Sequence, residues 1–153
     1  MKRILKIVVI VVVVLLIGLQ FVRPDKTNPS TDPAATLEAN VNMPPEVSTI
    51  LARSCADCHS NSTYYPWYAQ ISPVSWWLNN HINEGRRELN ISEFGTYNDK
   101  KQGRKLHEIC EQVEQKEMPL PSYLWIHSDA ALSDNDIKVL CDWAEAERAK
   151  YPQ

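Results

Sequence analysis

The chain has 153 residues, which is enough for one compact domain. Its net charge of -3 divides unevenly, because residues 1–23 carry +4 and residues 24–153 carry -7. The phosphate backbone would repel so acidic a domain, so a nucleic-acid-binding module is excluded. Four cysteines are too few for a disulfide-dense mini-protein, and four glycines are too few for a many-stranded sheet or a glycine-rich phosphate loop.

The first 23 residues are basic and then strongly apolar, with 13 consecutive apolar or glycine residues from Ile7 to Leu19. Residues 4–22 are long enough for a helix that approaches the thickness of a bilayer core. The alternative is a cleaved signal peptide, but the exit at residues 19–24 lacks the small residues of a cleavage site. The sequence therefore predicts an uncleaved signal anchor over residues 1–23. Its basic end places the rest of the chain outside the bacterial cytoplasmic membrane, in the periplasm or outside the cell.

Residues 24–44 are rich in proline and small polar residues, which favours a flexible linker. The folded part is predicted to cover residues 45–150. Four helices can be placed there from capping residues and from apolar residues at helical spacing. They are predicted over Pro45 to Ala56, from Ser72-Pro73 to Gly85, from Asn98 or Asp99 to Glu117, and after Ser133. No run of alternating polarity indicates a sheet, so the predicted fold class is all-α in one domain.

Cys55, Cys58 and His59 form a C-x-x-C-H motif, the attachment signature of c-type haem. Two thiols at this spacing can each add to a porphyrin vinyl group, and the following imidazole can bind the iron as the proximal ligand. The alternatives are a dithiol redox pair, which expects a βαβ context, and a zinc site, which needs two more paired ligands. Neither context is present, so the sequence predicts one covalent haem c.

Longer blocks of sequence around this motif are distinctive as a set. They cover residues 55–68, 71–77, 81–90, 117–127 and 131–133. Together they resemble the bacterial haem-binding domain family, small membrane-anchored relatives of cytochrome c, over about residues 44–143. The resemblance implies a cytochrome c-like helical fold around one covalent haem.

Met118 is the predicted sixth ligand of the iron. It precedes Pro119 in a loop 59 residues after His59, similar to the methionine-proline segment of class I cytochromes c. Ligation by methionine and histidine raises the reduction potential and suits an electron carrier. His81, on the apolar stripe of its predicted helix, is the main competitor. His107 and His127 are interpreted as surface or loop histidines.

The remaining predicted site residues surround the haem. Trp67, Trp77 and Trp125 are candidates to line an apolar crevice. Arg86 or Arg87, near a helix end, is a candidate partner for the haem propionates, the alternative being a solvated basic pair. Cys110 and Cys141 fall on inward faces of two helices, which favours a disulfide over two buried thiols.

The leading functional hypothesis is a membrane-tethered cytochrome that transfers electrons to and from redox partner proteins. A haem enzyme such as a peroxidase, or a haem-based sensor, would instead need an open or displaceable distal position, with His81 as a candidate distal group. A third hypothesis is an assembly partner of a respiratory complex. No Ser/His/Asp set, metal-binding carboxylate cluster or Walker-type loop indicates a different enzyme.

Overall fold

Helices account for all the regular secondary structure of residues 1–152, the part of the chain that the computed structural model describes. The prediction of an all-α fold is therefore confirmed. Short 3-10 turns connect several of the helices. The helices are α1 (Lys2–Leu19), α2 (Leu37–Asn40), α3 (Pro45–Ser54), α4 (Ala56–His59), α5 (Val74–Glu88), α6 (Asp99–Glu114), α7 (Pro121–Leu124) and α8 (Asp134–Arg148).

Two of the long helices begin at residues whose side chains satisfy free backbone N–H groups. The Ser133 hydroxyl accepts a hydrogen bond from the Asp136 N–H at 3.1 Å, and the Asp136 carboxylate accepts one from the Ser133 N–H at 2.9 Å. This reciprocal pair is a capping box with Asp in place of Glu. Asn98 caps α6 through the N–H of Lys101 at 2.9 Å. These two helix starts agree with the sequence prediction.

The core is built on α6 and α8, which share the most extensive helix contact. Leu106 and Leu140 are completely buried in this core, and a disulfide joins Cys110 to Cys141. The predicted pairing of these two cysteines is thus present in the structure. α3 packs against the same core through Val47, Ile50 and Leu51.

Residues 24–44, predicted to be a flexible linker, lie along the surface of the domain. Leu37 is only 2% exposed, and its N–H donates to the Ile91 carbonyl at 2.7 Å. Further along, the Trp143 indole N–H donates to the Asn42 carbonyl at 3.0 Å. The proline-rich composition predicts a linker because it gives little weight to the few apolar side chains that anchor this segment. We call residues 24–44 the strap.

The prediction of a membrane-spanning anchor is wrong. Within residues 1–152, no helix is long and apolar enough to cross a membrane. α1 has 18 residues, but Lys2, Arg3 and Lys6 are among them. The uncharged remainder, residues 7–19, extends about 20 Å at 1.5 Å per residue, well below the thickness of a bilayer core. The predicted single-pass location in the bacterial inner membrane is corrected by the same finding.

The chain meets the domain just after α1 ends. The Gln20 side chain makes two reciprocal hydrogen bonds of 3.0 Å with the backbone of Ser72. The Trp76 indole N–H then donates to the Val22 carbonyl at 2.9 Å. These contacts fix the start of the strap beside the N-terminal end of α5.

α6 ends in a Schellman motif that directs the chain toward Met118. The Glu117 N–H donates to the Gln112 carbonyl at 3.0 Å and the Lys116 N–H donates to the Val113 carbonyl at 3.2 Å. The motif places Lys116 in the left-handed region, at φ 59°. Glycine is the usual residue at this position because a side chain is strained there.

Replacing Lys116 by glycine should therefore stabilise the domain. We expect Lys116→Gly to raise the free energy of unfolding by about 1 kcal/mol, measured by urea denaturation. Gln115→Gly is the matched control, because Gln115 has a right-handed helical conformation and should lose stability. An equal loss of stability in both variants would contradict the assignment of strain to Lys116.

Candidate functional site

The C-x-x-C-H motif forms a single helical turn between α3 and α5. Cys55 follows the last residue of α3, and its carbonyl accepts hydrogen bonds from the Cys58 N–H at 3.2 Å and from the His59 N–H at 3.0 Å. This turn brings both thiols and the imidazole of His59 to the wall of one cleft. Cys55 and Cys58 are not bridged to each other.

Burial keeps both thiols protonated. It raises the pKa of Cys55 to about 12, with a further contribution from the neighbouring Cys58. It also raises the pKa of Cys58 to about 11, assisted by the negative charge of Asp57. Cys55 and Cys58 are therefore thiols rather than thiolates at neutral pH.

His59 is oriented by the C-terminal end of α5. Its Nδ1–H donates to the Leu89 carbonyl at 3.0 Å, since a carbonyl oxygen can only accept. This bond leaves the lone pair of Nε2 free, which is the arrangement found in histidines that ligate metals. Burial lowers the pKa of His59, although the hydrogen bonds to the backbone oppose that effect. The neutral, ligating form is thus favoured.

The motif lies beside two adjoining cavities of about 420 and 270 Å³. Cys55, His59 and Met118 contribute to the lining of both cavities. Apolar side chains from α3, α6 and the segment after α5 complete the larger one; they are Leu51, Leu89, Ile91, Ile109 and Val113. The two cavities form one largely apolar cleft, which we call the central cleft.

Gly85 allows α5 to approach the motif closely. A Cβ atom added at Gly85 would lie 2.8 Å from the carbonyl oxygen of Cys58 and 3.2 Å from its Cβ. No side chain fits at that separation, so the glycine fixes the distance between α4 and α5. That distance in turn sets the position of the Leu89 carbonyl relative to His59.

A chain of aromatic side chains joins the motif to the segment that follows Met118. The Tyr123 hydroxyl donates to a carboxylate oxygen of Asp57 at 2.8 Å. The ring of His127 stacks on that of Tyr123, with centroids 4.3 Å apart and an angle of 11° between the planes. The hydroxyl of Tyr68 lies 2.5 Å from Nε2 of His127. Burial and the carboxylate of Asp57 raise the pKa of Tyr123, so its phenol stays protonated and donates.

His81 lines the smaller cavity with Met118. Its Nδ1–H donates to the Trp77 carbonyl at 2.9 Å, which leaves Nε2 without that hydrogen. The structure therefore brings His81 to the central cleft, together with Cys55, Cys58, His59 and Met118.

The three tryptophans predicted as crevice residues lie elsewhere. Trp67 is 74% exposed, Trp125 is 82% exposed and Trp77 is 47% exposed. None of them is among the residues that line either cavity. Aliphatic side chains form the wall that these aromatic rings were expected to form.

Arg86, the candidate propionate partner, is engaged in another contact. Its guanidinium donates to the Ser60 carbonyl, to the Asn28 side chain and to the Thr63 hydroxyl, each at 2.8 Å. It therefore ties α5 and the strap to the loop after the motif. Arg87 is exposed and lies 3.9 Å from Glu84. The lining of the central cleft includes neither arginine.

Sequence reasoning missed Lys105, a basic side chain in the lining of the larger cavity. Its side chain is 8% exposed, and Nζ lies 2.5 Å from Glu108 and 3.7 Å from Glu88. Its position in the sequence could have predicted this, because Lys105 belongs to the buried stripe of α6 together with Gln102, Leu106 and Ile109. A lysine on an inward-facing stripe suggests an anionic partner nearby.

These residues fit a haem c. The two thiols lie one helical turn apart, His59 has a free Nε2, and Met118 provides a thioether in the same apolar cleft. His59 and Met118 would be the iron ligands, and Cys55 and Cys58 the attachment points.

Comparison with known proteins supports haem binding. A family model described as haem-binding domain matches residues 14–146. No curated protein and no solved structure matches the chain.

The two thiols should react slowly with alkylating agents in protein prepared without haem. With pKa values of about 12 and 11, the thiolate fractions at pH 8 lie about 1000-fold and 100-fold below that of a thiol of pKa 9. We expect the rate of iodoacetamide labelling, followed by peptide mass spectrometry, to keep rising with pH through about pH 10 for both thiols, because burial in the folded domain holds both pKa values above that of an ordinary thiol. A plateau near pH 9 for both thiols would contradict this prediction.

Gly85→Ala tests the close approach of α5 and α4. We expect a loss of about 1–3 kcal/mol in the free energy of unfolding, because the added methyl group overlaps the Cys58 backbone. Asn83→Ala is the matched control, since Asn83 is exposed on the same helix. The interpretation would be wrong if both alanines stabilised the protein equally through helix propensity.

Proposed function

Because the chain belongs to the haem-binding domain family, we propose that it is a c-type cytochrome that carries electrons through one covalently attached haem. The observation that carries the proposal is the hydrogen bond from His59 Nδ1 to Leu89, with Met118 in the same cleft. A bound haem would supply an iron that gains and loses one electron.

Cys55 and Cys58 would hold the cofactor through thioether bonds. In each attachment, the S–H bond of the cysteine adds across one vinyl group, so sulfur bonds to carbon and the hydrogen is retained on the neighbouring carbon. Both thiols lie at the wall of the cleft and neither is engaged in a disulfide. His59 follows directly, and its fixed ring orientation supports its role as the proximal ligand.

Met118 would be the distal ligand. Its side chain lines both parts of the central cleft, as His59 does, and the Schellman motif at the end of α6 fixes the backbone just before it. A soft thioether stabilises the reduced iron. If His59 and Met118 both bind the iron, no position would be open to a substrate, which favours electron transfer to and from redox partner proteins.

Lys105 is our candidate for a propionate partner in place of Arg86. Its ammonium is held at the larger cavity by Glu88 and Glu108. A carboxylate that enters the cleft would have to replace Glu88 or Glu108 at this ammonium, and charge-assisted bonds of this kind are the stronger ones.

A second candidate function is a haem enzyme or haem-based sensor. The observation that favours it is the position of His81, which lines the smaller cavity beside Met118 and keeps Nε2 free. If Met118 were displaced from the iron, His81 would be a basic group within the cleft that could assist a distal ligand.

Absorption spectroscopy of Met118→Leu in the haem-loaded protein tests the proposal. We expect loss of the methionine-to-Fe(III) charge-transfer band, a lower reduction potential and CO binding to the reduced form, because leucine fills a similar volume without a ligating sulfur. Met118→Ala should give the same spectral change. Haem that stays with the wild-type chain after acid-acetone extraction would report the thioether bonds.

His81→Ala is the control for this experiment, and it should leave the spectrum unchanged. The electron-carrier proposal fails if the wild-type protein already binds CO or if Met118→Leu retains the charge-transfer band. A spectrum altered by His81→Ala instead would favour the second candidate function.

A further inference from the structure

One hydrogen bond connects the haem-attachment motif directly to the segment after Met118. Asp57 lies between the two cysteines of the motif, and its Oδ2 accepts the hydroxyl hydrogen of Tyr123 at 2.8 Å. Tyr123 lies five residues after Met118, in the short helix α7, and it lines the smaller cavity. The contact therefore joins the attachment side to the segment that bears the proposed distal ligand.

The acceptor is held in place by its own surroundings. Oδ1 of Asp57 accepts the Tyr64 N–H at 3.3 Å, while the backbone carbonyl of Asp57 accepts the Thr63 hydroxyl at 2.7 Å. The carboxylate thus has a second partner that orients it, and Oδ2 remains for Tyr123. A hydrogen bond to a charged acceptor is stronger than one between neutral groups.

His127, with Tyr68 behind it, packs on one side of Tyr123, the donor of this hydrogen bond, and holds its ring. The His127 ring is stacked on Tyr123, and its backbone N–H donates to the Tyr123 carbonyl at 3.1 Å. Tyr68, from the 3-10 turn before α5, meets Nε2 of His127 at 2.5 Å. Asp57, Tyr123, His127 and Tyr68 form a continuous chain of contacts that we call the closure cluster.

A short segment with defined backbone hydrogen bonds connects the closure cluster to Met118. The Met118 N–H donates to the Gln112 carbonyl at 3.2 Å, which attaches the residue to the end of α6. After it, the Leu120 carbonyl accepts the N–H groups of Tyr123 at 2.9 Å and of Leu124 at 3.2 Å. Backbone hydrogen bonds therefore anchor the segment on both sides, and the hydroxyl of Tyr123 adds the contact to Asp57.

We propose that Tyr123 and Asp57 are positioning residues, which hold the Met118 segment against the motif and thereby keep external ligands from the iron. This inference rests on the proposed haem site. In it, His127 and Tyr68 maintain the orientation of the Tyr123 ring. The rate and affinity with which an external ligand displaces Met118 are set by how often this cluster opens.

The test uses haem-loaded Tyr123→Phe, which keeps the ring and its stacking on His127 but loses the hydroxyl. We expect imidazole to bind the ferric protein about 10-fold to 100-fold more tightly than it binds the wild type, as the loss of a hydrogen bond to a charged group implies. Tyr65→Phe is the matched control, because Tyr65 is a half-buried tyrosine outside the closure cluster. It should bind imidazole like the wild type.

A double-mutant cycle separates positioning from general destabilisation. If the hydrogen bond between Tyr123 and Asp57 is what keeps imidazole from the iron, breaking it twice has no further effect. The double variant Asp57→Ala/Tyr123→Phe should then bind imidazole about as tightly as either single variant. Asp57→Asn retains an oxygen acceptor and should have a smaller effect than Asp57→Ala. Additive effects of the two substitutions, or wild-type imidazole affinity in Tyr123→Phe, would overturn the proposal.

Hydrogen exchange distinguishes failure of this inference from failure of the proposed ligation. A wild-type protein without the methionine charge-transfer band would refute Met118 as the ligand. In the same haem-loaded samples, the backbone amides of residues 118, 120 and 122–127 would still report how often this segment opens. Faster exchange in Tyr123→Phe than in Tyr65→Phe supports the closure cluster, and equal exchange overturns it.

Discussion

The hydrogen bond from His59 to the Leu89 carbonyl is the interaction on which the site depends. It selects the tautomer of His59 and leaves Nε2 free. The carbonyl lies where it does because α5 ends beside the motif, and α5 lies so close only because Gly85 has no side chain. Ile91 continues the same connection, since its N–H donates to the His59 carbonyl at 2.7 Å. A residue far from the cysteines in sequence thus determines the chemistry of the motif.

The sequence predicts those parts of the molecule whose signal is local. Capping at Asn98 and Ser133, the buried stripes of α6 and α8 and the motif itself follow from short spacings. The buried face of α5 is only partly predictable. Ile82 is buried, as the apolar spacing of this helix predicts, but Ser75 is buried as well while the apolar Val74 is exposed.

The other parts of the structure depend on tertiary contacts, which the spacing of residues along the sequence does not indicate. Large apolar rings were expected at the cleft, yet Trp67 and Trp125 are exposed and aliphatic side chains line it. Arg86, expected at the cofactor, binds backbone and side-chain oxygens of the loop and the strap. The apolar run near the N-terminus predicts a membrane anchor, although its helix includes three cations and no helix of residues 1–152 meets the requirement for crossing a membrane.

The disulfide between Cys110 and Cys141 gives the segment that contains Met118 a property of its own. Because the two cysteines are 31 positions apart and enclose residues 111–140, this stretch is a covalent ring whose base is the α6–α8 contact. α6 and α8 cannot separate at that point to let the ring swing away. Met118 therefore moves within a loop closed at both ends, which loses less chain entropy on returning to the cleft than an open segment of equal length would.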